Sequence, residues 1–80
     1  MSARAIISDT FRQVATEQQR TLSQLSDNVS LLDSGLDSLS FALIVARLED
    51  TLGYDPFAVV DTFPVTFGDF VKLYDDHAPG

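Results

Sequence analysis

Gly35-Leu36-Asp37-Ser38-Leu39-Ser40 marks the junction between two different kinds of sequence. Before it, residues 20–37 are rich in Ser, Asp and Asn and hold no sustained helical period. After it comes the most apolar run of the chain. Asp37 suits a helix cap and Ser38 the first turn, while Gly35 suits a position of positive φ just before the helix. A helix start has free backbone N–H groups and the positive end of the macrodipole. An anion held there, such as a phosphate ester on Ser38, is stabilised by both. Leu36 and Leu39 flank the polar pair and are expected to anchor it. On local chemistry alone a plain cap followed by an ordinary first-turn serine also satisfies these residues.

The helix that follows is expected over about 38–51, stopping at Gly53. At 100° per residue its apolar side chains fall on two sides. One stripe is Phe41, Ile44, Val45, Leu48 and Leu52; the other is Leu39, Ala42, Leu43 and Ala46. The bulky Phe41 stripe is assigned to the core and the smaller one to partner binding, beginning beside Ser38. Glu49 and Asp50 flank the second stripe in the last turn, where the dipole disfavours negative charge by roughly 0.3–1 kcal/mol each. A broken local rule with no structural gain marks them as candidate partner-binding residues.

Outward from this centre, residues 3–19 read as a helix with Ile7, Phe11 and Val14 on its core face and Ser2 as its cap. The long loop 20–37 is expected to be pinned by Leu22, Leu25, Val29, Leu31 and Leu32. Asp55-Pro56 suggests a short helix over about 56–61, ended by Phe63-Pro64. Thr66-Phe67-Gly68-Asp69 reads as a capping box with Asp in the Glu place, opening a last helix over about 67–76. Six of the eight aromatics lie between residues 54 and 74, so this third of the chain supplies much of the core volume. Ala78-Pro79-Gly80 reads as a frayed tail. The class is all-α, a single domain over 1–80.

Eighty residues with 12 acids, 5 bases and a formal net charge of −7 argue against nucleic acid as a partner. They favour basic partner surfaces reached by electrostatic steering. With no cysteine there is neither a disulfide framework nor a thiolate metal site. No run reaches membrane-spanning length and the N-terminus lacks a signal-peptide core, so a cytoplasmic protein without membrane attachment is expected. The single histidine, His77, sits beside Asp75 and Asp76 with nothing to tie it to Ser38, and a serine nucleophile needs a base within reach. No metal site and no catalysis by the chain itself are expected.

Gly35-Leu36-Asp37-Ser38-Leu39, in a small acidic domain at the start of a long apolar helix, resembles the attachment motif of acyl and peptidyl carrier proteins. The likeness covers roughly residues 3–76. It implies a four-helix bundle of three main helices and one short one. It also implies that Ser38 bears a covalent 4′-phosphopantetheine arm derived from coenzyme A, with Asp37 as its acidic neighbour. The arm's thiol would hold acyl or aminoacyl groups as thioesters and present them to separate enzymes. Implied partners are a phosphopantetheinyl transferase, an acyl- or aminoacyl-activating ligase and downstream synthase enzymes, with the carrier itself a monomer. Carriers of fatty acid synthesis usually have acids two and five residues after the serine, where this chain has Ser40 and Leu43. Ser38 to Leu48 looks more like the second helix of peptidyl carriers, whereas the acidity and the length look like discrete acyl carriers. A discrete carrier in a specialised biosynthetic or ligase-coupled pathway fits best, and a domain of a larger synthase stays open. Rival readings are a helical interaction module, never modified, that binds a protein through the Leu39/Leu43 face, and a degenerate carrier that has lost its partner.

Overall fold

Helix α1 spans Ala3–Glu17 and buries Ile7, Phe11, Val14 and Ala15 along one face. It packs against both α2, Ser38–Leu52, and α3, Phe67–Asp76. The computed structural model describes residues 3–78. Ser2, expected to cap α1, and Pro79 and Gly80 of the expected tail lie outside them. Among the described residues there is no strand. Two 3-10 turns, Leu31–Asp33 and Pro56–Ala58, complete an all-helical bundle. Phe11 is its hub: its ring meets Phe67 and Phe70 edge-on, each at 5.2 Å between centroids. Removing a buried phenyl ring of this kind costs about 3–5 kcal/mol. Tyr74 is also fully buried, and its hydroxyl finds no hydrogen-bond partner among the described residues.

Two boundaries move for identifiable reasons. Helix α1 closes two residues before the expected end at 19. Gln19 takes the left-handed conformation (φ 56°), Gln19 N–H donates to Thr16 O at 3.1 Å, and Arg20 N–H donates to Ala15 O at 2.9 Å. That is the double hydrogen bond that ends a helix when a left-handed residue follows it. The short helix expected over 56–61 is a single 3-10 turn. Asp55 caps it through Phe57 N–H at 2.9 Å, but the β-branched pair Val59-Val60 does not continue it.

The loop of residues 20–37 is held at both ends. Its later part is stitched to the start of α3: Leu31 N–H donates to Val65 O, and Phe67 N–H to Val29 O, both at 2.9 Å. Ser30 and Thr66 form an isolated antiparallel bridge. Leu31 and Leu36 are buried, and Leu22, Leu25 and Val29 pack against the core. Leu32 was expected as a fifth pin but is 90% exposed. Leu31 takes the inward place in that 3-10 turn, which sends its neighbour outward.

The stripe of Phe41, Ile44, Val45, Leu48 and Leu52 packs on the core as expected, but α2 departs from the expectation at Ser40 and Leu43. Its buried spine is Ser40, Ile44 and Leu48, at i, i+4 and i+8. Because a serine heads the spine, an apolar pattern alone misplaces its centre. Phe41 and Val45 lie to one side, half-buried; Leu43 and Arg47 lie to the other, also half-buried. Phe41 is therefore a flank residue, edge-on to Phe11 at 6.2 Å and to Phe63 at 5.4 Å. Leu43 was expected on an open stripe but packs against the core.

Candidate functional site

Four residues before α2, Ser34 is buried; its hydroxyl donates to Leu31 O at 2.6 Å, and its carbonyl accepts Ser23 N–H at 2.9 Å. Gly35 follows with φ +96°, and a Cβ there would lie 2.1 Å from the carbonyl oxygen of Thr21. No other residue type fits such a contact at such a dihedral angle. Leu36 then turns into the core, 7% exposed. This sequence of constraints fixes where Asp37 and Ser38 emerge.

Asp37 is the cap of α2. Its Oδ1 accepts Ser40 N–H at 2.9 Å, and its Oδ2 accepts a bond from Arg20 Nη2 at 2.5 Å. The bond from the Ser40 N–H is the main cause that holds the Asp37 carboxyl below its ordinary value, with the Arg20 charge a smaller one. Ser38 is the first residue of the helix and is exposed. Its hydroxyl makes no hydrogen bond among the described residues, and neither do the backbone N–H groups of Ser38 and Leu39. A primary hydroxyl on the surface therefore sits beside two unused amide donors at the positive end of a 15-residue helix.

A groove of about 1030 Å³ opens beside Ser38. Phe41, Ala42, Val45, Ala46 and Glu49 of α2 line one wall; Phe57, Phe63, Pro64 and Val65 line the other. Phe57 and Phe63 stack on each other within that second wall, 5.4 Å between centroids. Of the expected partner-binding residues, Ala42, Ala46 and Glu49 share this groove with Ser38 and Asp37. Leu39, Leu43 and Asp50 lie around the helix from it. Leu39, which heads the stripe expected to face outward, is 58% exposed. The groove wall from Phe57 to Val65 was not foreseen, because an aromatic cluster in sequence does not reveal which rings face outward. Arg20 was also missed, although it is the sole base between Arg12 and Arg47.

All five Lys and Arg side chains are in ion pairs: Arg4–Asp27, Arg12–Asp9, Arg20–Asp37, Arg47–Glu17 and Lys72–Asp76. Glu49 and Asp50 are exposed with no cation beside them. His77 caps the C-terminus of α3, exposed, with Nδ1 2.9 Å from Leu73 O. Among the described residues no cluster of three or more potential ligands is arranged to hold a metal ion, and no helix is long and apolar enough to cross a membrane.

A family model described as "phosphopantetheine attachment site" matches residues 7–60, more than half the chain. The protein belongs to that family, and its cofactor is a covalently bound 4′-phosphopantetheine, which makes it a phosphopantetheine-carrying protein. No curated protein and no solved structure matches the chain. The donor set around Ser38 fits the group: a free hydroxyl can take a phosphodiester link, and the two free N–H groups can face its anionic oxygens.

Proposed function

We propose that Ser38 is the attachment serine and that the protein carries acyl or aminoacyl groups between separate biosynthetic enzymes. The observation that carries this reading is the open start of α2, with an unbonded Ser38 hydroxyl beside the free Ser38 and Leu39 N–H groups. When attached, the arm supplies a terminal thiol for thioester chemistry that a chain without cysteine cannot offer. The chain's own work is to hold the arm's first atoms at the helix start and to present its far end. Tethering raises the effective concentration of the cargo at any enzyme the domain docks to.

The Ser38 hydroxyl is bonded to no base among the described residues. We therefore assign the base that takes the seryl proton to a transferase. Ser40 and Leu43 bear on the branch. Ser40 is fully buried, so a carboxylate there would be desolvated, and Leu43 is half-buried against the core. Both disfavour partners that read acids at these two positions, and support a specialised pathway over fatty acid synthesis. The groove beside Ser38 suits an apolar cargo. Exposed Ala42, Ala46, Glu49 and Asp50, with Leu39, form the face on which we place partner docking.

The test is intact mass after incubation with coenzyme A and a broad-specificity phosphopantetheinyl transferase. Wild type should gain one phosphopantetheine and Ser38→Ala none. An unchanged wild-type mass with several transferases would leave the unmodified interaction module as the better reading.

A further inference from the structure

We infer that Arg20 is the countercharge of the phosphodiester on Ser38, bridging it to Asp37; this rests on the Ser38 reading above. Three fixed contacts bring Arg20 to the site. Its own N–H closes the end of α1 on Ala15 O at 2.9 Å, behind the left-handed Gln19. The next carbonyl, that of Thr21, sits where a Cβ on Gly35 would clash at 2.1 Å. Two residues on, Ser23 binds the facing segment twice, through its N–H to Ser34 O at 2.9 Å and its hydroxyl to Asp33 O at 2.8 Å. Residues 20–23 therefore run alongside 33–37, with the Arg20 side chain directed at the start of α2.

The charges complete the case. Oδ1 of Asp37 is engaged by the Ser40 N–H, and Oδ2 by Arg20 Nη2 at 2.5 Å. A guanidinium has five N–H donors in a planar fork, and this pair uses one of them. The side chain is still 41% exposed, so the other donors face solvent. Loading Ser38 places a second anion on the residue next to Asp37. Without a cation the two repel across one peptide unit. Arg20, the sole base between residues 13 and 46, can serve both at once through charge-assisted bonds. Arg20 is thus a positioning residue for the root of the arm, distinct from the serine that bears it.

The experiment compares wild type, Arg20→Gln and Arg20→Lys, each in apo and loaded form, with loading at Ser38 verified by mass and peptide mapping. Because the Arg20 side chain is on the surface, all three are expected to fold. The readouts are the change in Tm on loading, at low and at high salt, and the phosphorus-31 resonance of the loaded forms. Loading should favour wild type over Arg20→Gln by about 2–5 °C at low salt, a gap that screening largely removes at about 0.5 M NaCl. Arg20→Lys should keep part of the gap, and the phosphorus resonance should move in Arg20→Gln. If wild type and Arg20→Gln respond alike to loading and share one phosphorus position, Arg20 has no such role, while Ser38 still stands. If wild type gains no mass at Ser38, the attachment reading fails and this inference fails with it.

Discussion

Helices α2 and α3 both begin with an acid and a hydroxyl residue at the junction, yet their starts differ. At α3 every early donor is taken. Phe67 N–H goes to Val29 O and Gly68 N–H to Asp27 O, while Asp69 N–H goes to the Thr66 hydroxyl at 3.1 Å. The Asp69 carboxylate returns to the Thr66 N–H at 3.3 Å, closing a capping box with Asp in place of Glu. At α2 only the third N–H, that of Ser40, is bound. The first two stay open, beside an exposed serine. A start whose donors are all used is structural, whereas one that keeps two of them unused is equipped to receive an anion.

The contrast can be broken in several ways, and the largest expected effect is on loading. Ser38→Ala should abolish phosphopantetheinylation, read by mass, and leave unfolding by denaturant nearly unchanged, since the hydroxyl bonds nothing. A large loss of stability would mean that the start of α2 is structural after all. Next is Gly35→Ala, which forces a Cβ into the Thr21 carbonyl at a φ of +96°. It should cost about 2–4 kcal/mol in denaturant unfolding. A neutral result would show that the approach to α2 is free to relax.

Removing the caps separates the two starts directly. Thr66→Ala should lower stability by about 0.5–2 kcal/mol without slowing loading. Asp37→Asn can still cap, so it should preserve the fold, but it removes the carboxylate and should slow loading. Equal effects of the two substitutions on loading rate would erase the distinction. Asp37 also has a pH signature. Its carboxyl is held below the ordinary value, so its contribution is complete above about pH 4 and is lost as pH falls through the lower folded value. Asp37→Asn should lack that part of the acid transition. The smallest effect is at the end of α1. Gln19→Gly relieves a non-glycine residue at φ 56° and should stabilise by up to about 1 kcal/mol, with loading unchanged.

Much of this arrangement is legible in the chain because local chemistry dictates it. Asp37, Asp55 and Thr66 cap the elements they precede, Gly53 ends α2, and Gly35 has the positive φ its position suggested. What stayed hidden depended on tertiary context. Ser40 heads the buried spine of α2, a place no hydropathy pattern assigns to serine; Phe41 packs on the core as its stripe predicts, but so does Leu43, which the pattern places on the open stripe. Leu32 looks like a core residue and faces solvent. Arg20 and Asp37 are 17 residues apart, and the Thr21–Gly35 approach together with the Ser23 bonds to Asp33 and Ser34 brings them together.

Pairing of all five basic side chains has a consequence for how the molecule is perceived at a distance. Each cation is committed to a carboxylate of its own chain, so five of the 12 acids are neutralised in place and seven stand uncompensated. An approaching enzyme meets a one-signed electric field, with no positive patch to invert it locally. Such a field orients a visitor poorly but attracts a basic one from any direction. Discrimination between enzymes is then left to short-range fit, for which we propose the groove and the outer face of α2, while the rate of first encounter depends on ionic strength.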